Sequence, residues 1–411
     1  MKQIQLTITA KSALAIGRKK PGSVSEAADF IAGSVIRGAI AGHLLRAHPN
    51  QQQPQPGDDF SRLFVEDKAA IFQNAYPSLT ADSAVDLLPV TAVSAKAKPG
   101  FKPKGYGVFD TLIDRFCAEA CGQLYDPNCP QAAEKGEGRV EPFGGFYSKT
   151  GQSYQTLSVP KRLLTRVGIN RRRATAEEQI LYSLEVLDDY REDGEPVVYR
   201  GGILLEEDSL ADALSQFINQ NRQRFRLGGS ASRGLGQVEI QATAVPWQSN
   251  LKPRLKQFNQ LLQERLQLWT SLYPGRSRSV REPRSLPQRD YFTLNLQSDA
   301  ILRQNWRRTT VITAEDLKQL TGVSDDSLTL HNAYSSFDTV SGWNSAWGFM
   351  KDVELTTTKG GLYLFGTNHL DAWSEALSQL EYKGIGDRTL EGFGQVKVCH
   401  EFHQVFRENA L

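Results

Sequence analysis

The feature that most constrains this chain is a short glycine-pinched segment that occurs twice. RGLGQVEI (Arg233–Ile240) returns as EGFGQVKV (Glu391–Val398), 158 positions later. The sequence around it returns as well. GGILLEEDSLADALSQF starts at Gly201, and GGLYLFGTNHLDAWSEALSQL starts at Gly360, 159 positions on. Each has two glycines, a short apolar run, a polar gap and a helical stretch carrying Ala-Leu-Ser-Gln. The front of the repeat is fainter: Gln5–Thr9 alternates apolar and polar residues as Phe292–Leu296 does, at an offset near 288. Matched elements in the same order imply two copies of one α+β unit, the first holding about 130 extra residues.

Strand, glycine-rich turn, helix, further strands, helix, strand is the order of a ferredoxin-like (RRM-like) split βαβ unit. The expected architecture is α+β, with two such units in tandem and a long insertion in the first. The boundaries expected are 1–245 with the insertion at about 50–165, then a helix and basic linker at 246–290, then 291–411. In the first unit a helix is predicted from Ser34, which can cap it, to Ala47, with Val35, Ile36, Ile40, Leu44 and Leu45 on one apolar face. LKPRLKQFNQLLQERLQLW (251–269) predicts an amphipathic helix, and the Pro-, Ser- and Arg-rich stretch Pro274–Arg289 predicts a linker.

Composition narrows the function classes. Of 411 residues, 40% are apolar, enough for packed cores in two large domains. The 48 basic residues nearly cancel the 46 acidic ones, which excludes a non-specific polycation but leaves room for local basic patches. No apolar run approaches the roughly 18 residues of a membrane span. The N-terminal MKQIQLTITAK alternates like a strand rather than a signal peptide. Four cysteines at this length do not suggest a secreted disulfide scaffold. The expectation is a cytoplasmic chain with no membrane partner.

The first glycine loop holds Gly228, Gly229, Ser230, Gly234 and Gly236, flanked by Arg222, Arg224, Arg226 and Arg233. Glycines let backbone approach a partner closely and expose N–H groups to anions; arginines add charge. Together they suit a phosphate chain. The same residues also suit a plain tight turn with solvated arginines. The second loop sets Lys383 and Arg388 against Asp387 and Glu391, so it is expected to be structural. No Gly-Lys-Ser/Thr follows either loop, and each leads from a helix into a strand, which excludes a P-loop and a dinucleotide fingerprint. Other basic clusters are Arg18, Lys19 and Lys20; Lys161 and Arg162 with Arg166; Arg171, Arg172 and Arg173; and Lys96, Lys98, Lys102 and Lys104 interleaved with Phe101 and Tyr106. Several such loops in one near-neutral chain point to a polyanion, and RNA fits best.

FIAGSVIRGAIAGHLL near the N-terminus, GGSASRGLGQVEI, VGINRRRATAEEQILYSLEVL (167–187) and VSGWNSAWGFMKDVELTTTKGGLYLF (340–365) together resemble the RAMP superfamily of CRISPR effector subunits. They are most similar to the type III-D subunit of the group that holds the five-prime handle of the guide RNA. The resemblance implies a non-enzymatic role at the foot of a guide-RNA (crRNA) filament. It implies as partners the large polymerase-like subunit and the backbone RAMP subunits, with target RNA met indirectly. It places Gly33, Ser34 and Arg37 on the family's loop-to-helix segment, where a helix N-terminus and a basic side chain take a phosphate. It places Arg233 with Gly228, Gly229, Gly234 and Gly236 on the glycine-rich loop, and Arg171, Arg172 and Arg173 on the basic hairpin. Arg18, Lys19, Arg226 and Ser230 complete the expected RNA-binding set. Thr175-x-x-Glu178 has the form of a capping box, but the resemblance favours a strand at about 181–187.

Cys117, Cys121 and Cys129 lie within 13 residues and are candidate zinc ligands, although no fourth ligand is evident and free thiols are the leading reading. No cofactor is otherwise expected. Of the six histidines, His43 lies beyond the apolar face of the first helix, and His400 and His403 follow the last strand without an evident partner. Asp29 and Asp338 are the weak candidates for a cutting aspartate. The chain therefore reads as a binder, with a metal-independent endoribonuclease as the alternative and a protein-interaction module as a third reading. Trp343 and Trp347 are expected in the core.

Overall fold

The alternation in KQIQLTITA gives a strand with two unlike faces. It forms β1 (Lys2–Ala10), in which Ile4, Leu6, Ile8 and Ala10 are buried and the residues between are half-exposed. In the computed structural model, which describes residues 1–17, 24–47, 54–130, 138–151, 153–170, 175–273, 289–344 and 348–411, β1 lies inside an antiparallel sheet. The strand order is β4–β1–β3–β2, where β2 is Ile71–Phe72, β3 Val198–Leu205 and β4 Val238–Pro246. Helices α1 (Gly33–Ala47) and α2 (Asp208–Gln220) cover the apolar face: Ile36, Ile40, Leu210, Leu214 and Ile218 share one core with Ile4, Leu6 and Ile8.

The second sheet repeats this order. After α3 (Leu251–Leu272) come β5 (Asp290–Leu296), α4 (Ala314–Thr321), β6 (Thr329–Tyr334), β7 (Leu362–Thr367), α5 (Leu370–Lys383) and β8 (Val396–Val398). They pair as β8–β5–β7–β6. Ile8 lies opposite Tyr199 and Ile240, and Leu294 lies opposite Tyr363 and Val398. These partners correct the repeat spacing. Tyr199 and Tyr363 are 164 positions apart, whereas the loops are 158 apart. Gly201 and Gly202 lie inside β3, while Gly360 and Gly361 precede β7, so the two glycine pairs are not equivalent. Asn221–Phe225 separate α2 from the first loop; α5 runs straight into the second.

Three local expectations change. α1 starts at Gly33, with the Ala32 carbonyl accepting from Val35 and Ile36, so Ser34 lies in the first turn and does not cap it. Leu45 is exposed, because five residues on from Ile40 the helix has turned it away from the buried face. The strand expected at 181–187 begins at Thr175 and pairs along a hairpin with Lys161–Asn170. The amphipathic helix at 251–269 is present as α3, burying Leu251, Leu255, Phe258 and Leu262 at helical spacing.

Residues from the insertion help build the second core. Helix Leu112–Ala120 sends Ile113, Phe116 and Cys117 into it, beside α3. β5 is therefore covered on both faces: Phe292 packs on Trp373 of α5, and Tyr291 on Phe116 (ring centroids 5.8 and 5.4 Å). Arg265 of α3 bonds Asp114 at 2.7 Å, and the C-terminal Leu411 exchanges backbone bonds of 2.9 and 3.0 Å with Val108. Residues 274–288 and Trp347 lie outside the described residues, as does the side chain of Trp343.

Candidate nucleic-acid interface

The first glycine loop closes between Arg226 and Val238. Arg226 bridges to Gln237, and a 3₁₀ turn, Ala231–Arg233, sits between two left-handed residues, Ser230 (φ 57°) and Gly234 (φ 85°). Gly228 and Gly236 are required by the turn itself: both have positive φ, and a Cβ on either would stand 2.5 Å from a backbone carbonyl oxygen. Gly229 has neither constraint, its nearest neighbour being the Ala15 carbonyl oxygen at 3.8 Å. Some of the loop's N–H groups are spent internally. Leu227 donates to Gly236, Gly229 to Ala15, Gly234 to Ala231 and Gly236 to Ala13. The expected backbone cradle for an anion is thus occupied in part, and the N–H groups of Ser230, Ala231 and Ser232 make no hydrogen bond among the described residues.

Side chains beside the loop converge. A groove of about 510 Å³ runs between the end of α1 and the loop, lined by His43, Arg46, Asn221, Arg224, Phe225 and Arg226 with small alanines. Among the described residues no carboxylate lines it. Arg224 and Arg226 are exposed, and neither forms an ion pair among the described residues. Arg222 sits 3.5 Å from Glu239 instead. Arg233 donates to the Tyr182 hydroxyl, its guanidinium 5.9 Å from the ring centre. Arg46 was not among the expected contacts, and His43 was expected only to lie beyond the apolar face of the helix. Their separation by three residues puts both on one face of α1, which is the signal that was available. The His43 ring packs at 5.2 Å from Phe225, fixing it at the groove wall.

The other expected contacts fall elsewhere. The Gly33 N–H is taken by Asn74 Oδ1 at 2.8 Å, and a Cβ there would sit 1.9 Å from the Phe72 carbonyl oxygen. That end of α1 is packed by the protein itself. Ser34 is half-buried in the same turn. Arg37 bonds the Phe64 carbonyl and lies over its ring. Lys161 pairs with Asp29 at 2.7 Å, Lys96 with Glu141 at 2.6 Å, and Lys98 lies over Tyr106. Phe101 is buried in a small core. Five of the expected RNA contacts, Arg18, Lys19, Arg171, Arg172 and Arg173, lie outside the described residues.

The second loop repeats the turn with Arg388 (φ 58°) and Gly392 (φ 94°) around Thr389–Glu391. It faces inward, against Gly33, Phe72 and Asn74 of the first half. Glu391 bonds both Arg388 (2.6 Å) and Lys351 (2.9 Å). Burial alone would raise its carboxyl, but the two cations outweigh that and hold it below the usual carboxylate range.

The thiols do not assemble. Cys117 Sγ faces the Leu262 carbonyl, Cys121 the Thr270 hydroxyl and Cys129 the Tyr106 carbonyl. Burial, with Asp114 nearby, pushes the Cys117 thiol up to about 12. Among the described residues no group of three or more His, Cys, Asp or Glu suits a metal. His400 and His403 do have partners: His400 Nδ1 accepts from the Phe402 N–H, and His403 lies 3.2 Å from Asp110 and 2.9 Å from Asn295, all buried. They tie the C-terminal segment down and do not border the groove; neither do Asp29 and Asp338. Among the described residues no helix is long and apolar enough to cross a membrane.

No protein-family model matches the chain, and no curated protein matches it. It is similar at low identity to chains of type III-B Cmr-beta structures. One is from Cmr-beta bound to cognate target RNA and AMPPnP, state 1, with a TM-score of 0.37, 11% identity, and 88% of this chain aligned to 86% of that one. Another, bound to cognate target RNA, has a TM-score of 0.32 and 15% identity, covering 58% of this chain and 96% of that one. A third, in the apo state, has a TM-score of 0.31 and 15% identity over 59% and 97%.

Proposed function

We propose that this chain is a non-catalytic RNA-binding subunit of a type III, III-D-like CRISPR effector complex. In this reading the arginine groove beside the first glycine loop holds the sugar–phosphate strand of the guide RNA's five-prime handle. The two sheets are two ferredoxin-like units in tandem, an assignment supported by their shared strand order. The large polymerase-like subunit and the backbone RAMP subunits are its protein partners.

The observation that carries the RNA reading is the groove. Arg46, Arg224 and Arg226 line it with no carboxylate among them, in a chain whose charges otherwise nearly cancel. Three guanidinium groups without a counter-ion among the described residues suit phosphate oxygens, which accept from the planar fork. Among the described residues His43 lines the groove with no acid beside it, which supports binding over acid–base cleavage.

Incubation of the full chain with labelled single-stranded repeat RNA tests this. Retention without cutting is expected. Arg224→Ala with Arg226→Ala should weaken binding and flatten the salt dependence by about one unit of slope per lost phosphate contact. Thermal stability should hardly move, since both side chains are exposed. Metal-independent cutting would establish the endoribonuclease instead, and no retention at low salt would overturn RNA binding.

A further inference from the structure

Trp306 is 93% exposed. It stands at the tip of a two-residue hairpin between Leu302–Gln304 and Arg307–Thr309, with Gln304 opposite Arg307. Both tip residues are left-handed, Asn305 at φ 48° and Trp306 at φ 66°. That turn matches the twist of the flanking strands, and Asn-Gly fills it with least strain. Asparagine enters the left-handed region readily; a tryptophan does so against its own Cβ. The chain thus places its largest kind of side chain where the turn favours glycine. It makes no ring contact or hydrogen bond among the described residues.

The base of the hairpin is fixed. Ile301 bridges to Asp387 of the second glycine loop, and Arg303 and Arg308 both reach the Asp387 carboxylate, at 2.5 and 3.0 Å. Arg308 also pairs with Glu354. The tip is therefore a braced platform carrying Asn305, Trp306 and the exposed Arg307.

We propose that Trp306 is a stacking platform for one base of single-stranded RNA, with Arg307 at an adjacent phosphate and the Asn305 amide at the base edge. This rests on the RNA-binding reading but uses a different part of the molecule from the groove. The surroundings favour a base over a protein pocket. Protein hot spots lie within packed, water-excluding patches, whereas Trp306 is flanked on its hairpin by Arg303, Gln304, Asn305, Arg307 and Arg308. A base needs one ring face and a nearby cation, which is what the tip offers.

The test is fluorescence anisotropy of the full chain with fluorescein-labelled single-stranded oligouridine across a salt series. Trp306→Ala should weaken binding roughly five- to hundredfold, with the slope of log K against log salt unchanged, because stacking releases no counter-ion. Trp306→Phe should keep most of the affinity. Trp306→Gly should lose affinity like the alanine variant while its Tm holds or rises, since glycine relieves the turn. Unchanged affinity overturns the proposal, as does a lower Tm for Trp306→Gly, which would mark the ring as structural. Loss of self-association in Trp306→Ala with RNA binding intact would make it a protein anchor and also overturn it. If the arginine-groove variants weaken RNA binding and Trp306→Ala does not, only this inference falls. If the intact chain binds no RNA, both do.

Discussion

The two glycine loops share one backbone but meet different surroundings, one facing solvent and the other packed on the first half of the chain. Gly228, Gly234 and Gly236 have twins in Gly386, Gly392 and Gly394, all with positive φ, and Ser230 (φ 57°) has its twin in Arg388 (φ 58°). The residues that differ are those whose side chains leave the turn. Arg226 is matched by Gly384, Gly229 by Asp387 and Arg233 by Glu391. In the first loop residues 231–234 are exposed, and Arg224 and Arg226 line the groove; in the second, residues 387–391 are half-buried and Gly392 is buried. A turn facing water keeps positive charge without a counter-ion. A turn packed on its own chain must neutralise what it buries, and Glu391 does so for Arg388 and Lys351. The glycines therefore specify geometry, and the side chains between them specify the face.

The largest effect should come from closing the space the docked loop uses. A Cβ at Gly33 would sit 1.9 Å from the Phe72 carbonyl oxygen and 2.9 Å from that of Glu391. Both are backbone atoms, one from each half, so neither yields like a side-chain tip. Gly33→Ala should destabilise by about 3 kcal/mol, read as a shift in the denaturant midpoint. An unshifted midpoint would show that the second loop does not dock there.

A smaller effect should follow from the charge of the docked loop. Glu391→Gln leaves Arg388 and Lys351 half-buried without their carboxylate and should cost about 1–2 kcal/mol at neutral pH. The sign with pH follows from the direction of the shift. The folded carboxyl lies below its ordinary 4.5, so its contribution is complete above that value and is lost as pH falls through the folded pKa. Wild type should lose stability more steeply than the glutamine variant as pH falls below about 4.5. Parallel acid curves would mean that Glu391 is not coupled to folding.

Legibility in the sequence divides along the same line. The turns were readable because positive φ demands glycine at fixed spacing, and that demand leaves the same mark in both copies. β1 and α3 were readable because their burial follows periods of 2 and 3.6. What was hidden depends on which distant segment arrives. Asn74, buried and bonded to the Gly33 N–H, carries no motif. Nothing in Ile113, Phe116 and Cys117 says that they complete the core of the other half. The groove joins His43 and Arg46 to Arg224 and Arg226 across most of the first half of the chain. The turn also uses part of its own N–H groups internally, which no glycine pattern reveals.

The smallest effect on stability, and the sharpest separation of the two loops, should come at Gly229. Its φ lies outside the left-handed region, and a Cβ there would meet only the Ala15 carbonyl oxygen, at 3.8 Å, an ordinary contact. Its twin, Asp387, shows that the same turn accepts a side chain at this point, directed at Arg303 and Arg308. The fold therefore does not ask for glycine here. Gly229→Ala should leave the Tm unchanged or raise it slightly, because the unfolded chain loses freedom while the folded one gains no clash. If the exposed loop lies against an RNA backbone, the added methyl stands in the way of that approach, and affinity should fall severalfold with the salt slope preserved. Equal affinity for the alanine variant would confine the contact to the arginines. Gly229→Asp, which copies the docked loop's residue into the open one, should weaken binding further by placing a carboxylate beside the groove's guanidinium groups.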